Sequence, residues 1–186
     1  MKPIIIGLTG VAGSGKDTVG YYLAEQFGFE TMALADPLRM GLMAMLGIDE
    51  SVLNDRQKKE EPIEWLGVSP RRLLQTLGTE WGRDMIRKDL WIRLARRRLE
   101  VVLSRWRTIP GVVITDCRFD DEAEMVRGMG GTVIHLQGRG VNVGDHVSEG
   151  GVRFVDGDYR VSNDGTINTL WARIDGVLAD LQARAA

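Results

Sequence analysis

The chain reads as an α/β protein: a three-layer α/β/α sandwich built on a parallel, five-stranded sheet. Three observations predict this. Short apolar runs rich in Val and Ile alternate with helical patterns along the 186 residues, and that alternation makes strands parallel with right-handed crossovers. One run, residues 111–115, has an unbroken Val-Val-Ile centre, the pattern of a strand covered on both faces. The first run leads straight into a glycine-rich turn and then a helix, a sequence of elements that belongs to such sheets.

Residues 3–8 form the first strand, and 19–27 carry the helix behind the turn. Residues 31–35 make a short second strand. Residues 37–46 form a helix in which Met40, Met43 and Met45 are expected to pack into the core. The charged stretch 49–64 is irregular or helical. Ser69 and Pro70 supply an N-cap and a first-turn proline for a helix to about residue 81. Asp89 caps another over 90–107, whose Arg93, Arg96, Arg97 and Arg98 read as a solvated face rather than a nucleic-acid contact. Strand three is followed by a helix over 121–129, with acidic residues in its first turn, and by a fourth strand at 132–136. Residues 138–157 are glycine-rich and read as a mobile loop. A short strand near 159–162 and a helix over 167–183 complete the pattern.

The turn, Gly10-Val11-Ala12-Gly13-Ser14-Gly15-Lys16-Asp17-Thr18, meets the spacing G-x-x-x-x-G-K. Glycines let backbone N–H groups approach phosphate oxygens, the helix behind adds its positive end, and Lys16 reaches the terminal phosphates. A nucleoside triphosphate is the expected ligand, held by Gly10, Ala12, Gly13, Ser14, Gly15, Lys16, Asp17 and Thr18. The usual pattern has Ser or Thr directly after the lysine, where its hydroxyl binds Mg²⁺. Here Asp17 takes that slot and Thr18 follows. Asp17 either helps hold Mg²⁺ or simply favours the helix start.

Ligands of parallel sheets gather at the carboxyl ends of the strands, so polar residues there are the next candidates. Asp36 and Arg39 follow strand two; they suit a second substrate, while Asp36 is equally suited to capping the next helix. Asp116 and Arg118 follow strand three. The acid is placed to orient Mg²⁺ and the arginine to neutralise a transferring phosphoryl group; a salt-bridged loop pair is the plain alternative. Cys117 between them reads as packing. Gln75, Thr79 and Arg83 lie in a stretch suited to reading a nucleobase edge and clamping a 5′-phosphate. The rival there is an amphipathic helix with Trp81 in the core. Arg139, His146 and Arg153 fall in the glycine-rich loop, which suggests a lid that excludes water. Asp164 and Gly165, within Asn163–Thr166, either line an adenine site or belong to a helix cap.

Composition sets bounds. A hydrophobic share of 44%, a charged share of 27% and a net charge of −2 suit one globular domain without a field for nucleic acid or membrane. The 19 Arg against 5 Lys suit phosphate recognition, but a genome-composition bias would look identical and is the preferred reading for most of them. The single cysteine excludes an internal disulfide and a cysteine-based zinc site. With no leader pattern and no apolar run of spanning length, a cytoplasmic location is expected.

Taken in order, the loop with Lys16-Asp17-Thr18, the Ala35-Asp36-Pro37-Leu38 turn, Leu74–Glu80, Asp116-Cys117-Arg118-Phe119, His146–Glu149 and Asn163–Thr166 resemble phage-type deoxynucleoside monophosphate kinases across nearly the whole chain. The resemblance implies the phosphate-loop fold of the nucleoside monophosphate kinase type. It implies a single kinase domain over 1–186, with a monophosphate-binding insertion at about 36–90 and a lid at about 138–157. It further implies ATP- and Mg²⁺-dependent conversion of deoxynucleoside monophosphates to diphosphates, in a host cytoplasm if the chain is phage-encoded. Lys16, Asp17 and Arg118 would be catalytic, and Asp17, Thr18 and Asp116 would hold the metal. Asp36, Arg39, Gln75, Thr79, Arg83, Asp116 and Arg118 would bind the acceptor. The family also carries Asp after the lysine. The expected partner is a small nucleotide, with a homodimer left open and no membrane or nucleic acid involved. Phosphomevalonate kinases share the Lys-Asp loop and the Asp-x-Arg strand end, which keeps an isoprenoid acceptor as a rival. A nucleotide-driven switch or DNA-processing ATPase is a second one.

Overall fold

The computed structural model describes residues 2–105, 108–138 and 151–185. Two compact units divide the chain: Met1–Ala33 with Arg96–Ala186, and Leu34–Ala95. The first is built on a five-stranded sheet of order β2-β3-β1-β4-β5. Its strands are β1 (Ile4–Thr9), β2 (Glu30–Met32), β3 (Gly111–Ile114), β4 (Thr132–Gly138) and β5 (Tyr159–Asn163). Every neighbouring pair is parallel.

Alternation along β1 fixes the layers. Ile6 and Leu8 join Val19 and Leu23 of α1 (Lys16–Phe27) and Leu170, Ile174 and Leu178 of α8 (Ile167–Ala185) in one apolar cluster. Gly7 points the other way, where an added Cβ would lie 3.0 Å from Cys117 Sγ and 3.4 Å from Val126, on α7 (Asp120–Gly128). Helices therefore cover both faces, and the sheet between them is the middle layer. Strand β3 is buried throughout, as its continuous apolar centre predicts. No helix among the described residues is long and apolar enough to cross a membrane.

The second unit is helical. Its α2 (Asp36–Leu46), α3 (Glu50–Asn54), α4 (Arg56–Glu60) and α5 (Pro70–Gln75) lead into a π-helical segment, Thr76–Ile86. Helix α6 (Leu90–Leu103) contains the boundary between the units. Ser69 caps α5 as expected, accepting from the Arg72 N–H at 3.3 Å. The expected helix over 70–81 changes pitch at Thr76, and its last turn closes with Arg87 N–H on Gly82 O at 3.0 Å, an i to i+5 bond. Gly82 is buried against the Trp91 indole, whose face occupies the space a Cβ would need. The indole Nε1 donates to Gly78 O at 2.6 Å. Segments of this kind concentrate at functional sites.

Three expectations are corrected. Strand β2 covers Glu30–Met32 rather than 31–35, because only those three residues pair with β3. Met40 and Met45 are exposed, at 68% and 64%. The buried position of α2 is Leu42; Met40, two residues before it, lies on the other side of the helix, whereas Met45 shares its face but sits in the last turn of α2. Asp36 does not cap α2: Ala35 holds the N-cap position without a side-chain cap. Among the arginines of α6, Arg93, Arg96 and Arg97 are exposed, while Arg98 Nη1 donates to Ala33 O at 2.8 Å. Trp106, expected from the sequence to pack in the core, lies outside the described residues.

A buried ionic cluster anchors residues 151–158 to the first unit. The Asp158 side chain is only 1% exposed. It accepts from Arg127 Nη2 at 2.7 Å and Nε at 3.1 Å, meets His135 Nε2 at 2.9 Å, and accepts from the Val155 N–H at 3.1 Å. Arg127 also donates to Arg153 O at 3.1 Å, and the Arg153 N–H donates to Asp120 at 2.7 Å. Burial, the largest influence on Asp158, pushes its pKa up, but the Arg127, Val155 and His135 hydrogen bonds together hold it below the ordinary carboxylate value of 3.8. A carboxyl whose folded pKa is depressed stabilises the fold fully above its unfolded pKa and loses that contribution as pH falls through its folded pKa. Acid titration of the melting temperature should thus drop below about pH 4, and the Asp158→Asn variant should show a flatter acid limb.

Candidate active site

The phosphate loop follows β1. Gly10, Gly13 and Gly15 have φ of 143°, 77° and 103°, values that side-chain-bearing residues avoid. The Ser14 N–H donates to Val11 O at 3.1 Å, tightening the turn, and Val19 N–H donates to Gly15 O at 2.9 Å as α1 begins. Gly15 is the N-cap of α1 and offers no side-chain cap, so no N-cap side chain covers this helix start, the end of a helix that attracts an anion. Lys16 is half-buried, its ammonium donating to Gly10 O at 2.6 Å and Val11 O at 3.0 Å. The Ser14 hydroxyl is fully buried and has no hydrogen-bond partner among the described residues. Such an orphan is costly unless something else fills it. A glycine cradle, an uncapped helix start, a lysine and an orphan hydroxyl fit a polyphosphate.

Strand β3 delivers Asp116 and Arg118 to the same end of the sheet. Cys117 N–H donates to Leu8 O at 3.1 Å, which ties the strand end to β1 just before the loop. Glu122 then shapes the turn: its Oε2 accepts from Arg118 N–H at 2.7 Å and Phe119 N–H at 3.1 Å. At 6% exposure Glu122 is buried, a role that reading 120–122 as an acidic first turn missed; its spacing three residues past Phe119 was the available signal. Burial pushes the Cys117 thiol well above its usual pKa, with the Glu122 and Asp116 charges adding to it. It is packing, as expected.

Asp17 and Thr18 are exposed at the start of α1, and Asp116 is half-buried. No group of three or more His, Cys, Asp or Glu among the described residues forms a metal cage. A few hard oxygens beside a phosphate cradle are what Mg²⁺ uses, since it takes one or two carboxylates and fills the rest with phosphate and water. Asp164 and Gly165 follow β5; Asp164 Oδ1 accepts from Arg173 Nη1 at 2.8 Å. Thr166 Oγ1 accepts from Thr169 N–H at 3.3 Å, so the cap reading holds for Thr166.

The second unit holds Asp36, Arg39, Gln75, Thr79 and Arg83. Arg39 reaches Leu53 O at 3.5 Å and Asn54 Oδ1, linking α2 to α3. Gln75, at the end of α5, and Thr79 and Arg83, in the π-helical segment, are all half-buried. Trp81 is 42% exposed rather than a core residue. Glu80 pairs through Oε1 with Arg72 at 3.2 Å, and its Oε2 is buried without a hydrogen-bond partner among the described residues. Of the loop residues, Arg139 and His146 lie outside the described residues, as do Ser148 and Glu149; Arg153 is exposed.

A parallel sheet of order 2-3-1-4-5 with this loop after its central strand defines a phosphate-loop nucleotide-binding protein. A family model described as deoxynucleotide monophosphate kinase matches residues 57–174. A chain of Acanthamoeba polyphaga mimivirus named as a candidate deoxynucleotide monophosphate kinase is 31% identical over 182 residues, covering 92% of this chain and 94% of its own. The deoxynucleotide monophosphate kinase of Enterobacteria phage T4 is 34% identical over 112 residues, 59% of this chain and 45% of the phage protein. The chain belongs to the deoxynucleotide monophosphate kinase family. A crystal structure of TT1252 from Thermus thermophilus superposes with a TM-score of 0.51 at 19% identity, covering 97% of this chain and 99% of that one, a likeness of fold alone.

Proposed function

We propose that the chain transfers the γ-phosphoryl group of ATP to a deoxynucleoside 5′-monophosphate in the presence of Mg²⁺, giving the diphosphate. The observation that carries this is the uncapped start of α1 behind the glycine loop, with Lys16 inside it. Loop amides and Lys16 hold the β- and γ-phosphates. Asp17, Thr18 and Asp116 are the residues to hold Mg²⁺, which would neutralise charge on the phosphate oxygens. Arg118 spreads the charge that develops on the transferring group. The second unit acts as the monophosphate-binding insertion, its Gln75, Thr79 and Arg83 addressing the acceptor nucleotide with Asp36 and Arg39. Asp164 and Gly165 serve the donor nucleotide, and Arg153, with Arg139 and His146, belongs to the lid. A phosphate monoester is already largely ionised at neutral pH, its second pKa being about 6. No general base is then needed, and positioning with electrostatics supplies the rate. The reaction suits a cytoplasm, where nucleotides and Mg²⁺ are supplied.

The test measures ADP release from ATP and Mg²⁺, alone and with each deoxynucleotide, each ribonucleotide, or phosphomevalonate. Release should depend on a deoxynucleoside monophosphate by at least about tenfold over the acceptor-free rate. Dependence on phosphomevalonate instead, or release that no acceptor stimulates, would sink the proposal.

A further inference from the structure

Asn163 lies outside the phosphate loop, yet it holds one of the loop's peptides. Its Nδ2 donates to Ser14 O at 2.9 Å, between residues 149 positions apart in the chain. The Ser14–Gly15 peptide is trans, so its carbonyl and its N–H point in opposite directions. Drawing the carbonyl toward the end of β5 therefore turns the Gly15 N–H away from β5. That N–H donates to no protein acceptor among the described residues.

The contact is built rather than incidental. A Cβ on Gly15 would sit 2.6 Å from Asn163 Nδ2, so the glycine both adopts its positive φ and admits the carboxamide. Asn163 is in turn fixed from two sides. Its backbone pairs with Gly138 of β4, so closely that a Cβ there would lie 2.8 Å from Asn163 O. Arg173 of α8 reaches Ser162 O and Asp164 Oδ1, the residues on either side of it.

We infer that Asn163 is a positioning residue for the donor triphosphate: by gripping the Ser14 carbonyl it aims the Gly15 N–H at a phosphate oxygen. This rests on the phosphate-binding reading of the loop, and it gives Asn163 a task different from lining an adenine.

The test compares wild type with Asn163→Ala and Asn163→Asp in the full chain. Asn163→Ala removes the hydrogen bond without adding a charge and so measures its loss; Asp has the shape of Asn but cannot donate, and its carboxylate also repels the Ser14 carbonyl and the phosphates. Affinities for ADP and for inorganic tripolyphosphate are measured by calorimetry, alongside KM for ATP and for the acceptor. One hydrogen bond corresponds to a loss of about 3- to 10-fold. Asn163→Ala should lose about that factor for ADP and tripolyphosphate alike and Asn163→Asp at least as much, with ATP KM rising to match and acceptor KM within about twofold. The Gly15 amide signal in ¹⁵N-glycine spectra should shift on adding tripolyphosphate in wild type and shift less in Asn163→Asp. If ADP affinity falls while tripolyphosphate affinity holds, Asn163 reads the base and the inference is overturned. Unchanged affinities for both overturn it too. Wild type that binds both ligands but phosphorylates no deoxynucleotide would remove the acceptor reading alone, leaving the Asn163 comparison decisive.

Discussion

Replacing Lys16 with Ala should lower kcat by at least about 10²- to 10³-fold, the loss typical when one charge-stabilising group is removed from a transition state. The residue sits at the start of α1 with its ammonium bonded to Gly10 O and Val11 O. Its positive charge therefore lies inside the cradle rather than on a swinging arm, close to where phosphoryl charge builds up. The two carbonyls it leaves belong to partly exposed loop residues, so water replaces the ammonium there at little cost. The melting temperature should accordingly stay within a few degrees of wild type, about the effect of 1 kcal/mol in a domain of this size. Lys16→Arg should fail nearly as badly, because a planar guanidinium does not reproduce a compact point charge in so tight a turn. Steady-state ADP release and a thermal melt on the same preparation check both halves. Activity within tenfold of wild type in Lys16→Ala would remove the lysine from the mechanism.

The largest effect on stability is expected at Asp158, far from the loop in role. Asp158→Ala removes a carboxylate with 1% exposure and strands Arg127 and His135, whose side chains are 20% and 11% exposed. Deleting one partner of a buried ion pair costs about 3–5 kcal/mol, because the surviving charge keeps its desolvation penalty. The first unit should then melt about 10 °C lower. Arg127 also ties Arg153 O, and Arg153 N–H ties Asp120, so residues 151–158 should become more open to protease in the variant. Arg127→Met combined with Asp158→Leu, which removes both charges, should recover part of the loss. A melt of Asp158→Ala within 2 °C of wild type would show the cluster to be without energetic weight.

The strands and the phosphate loop were legible because burial on two faces and backbone freedom both leave marks in residue type. The continuous apolar centre of 111–115 and the glycines at 10, 13 and 15 carry that information locally. What depends on pairing was less legible. Ala33-Leu34-Ala35 is apolar enough to extend a strand, but β2 ends at Met32, where pairing with β3 ends. Met40 and Met45 are apolar and exposed, since hydrophobic character does not say which positions of a short helix find a neighbour. The π-helical pitch of 76–86 depends on Trp91 meeting Gly78 and Gly82, a contact between segments. Asp158 and Glu122 looked like ordinary acids near turns; only their folded partners make them buried anchors. Within the candidate site, the loop residues were evident from spacing, while Asn163's grip on Ser14 spans most of the chain and has no local signature.

The solitary thiol of this molecule offers a stopwatch. Cys117 is sealed in the core at 1% exposure, and its proton is held more firmly than in a free thiol, so a thiol-specific dye has nothing to react with while the fold is closed. Labelling then advances only as fast as the strand-end region breathes, and a single colour change reports the opening rate without any engineered probe.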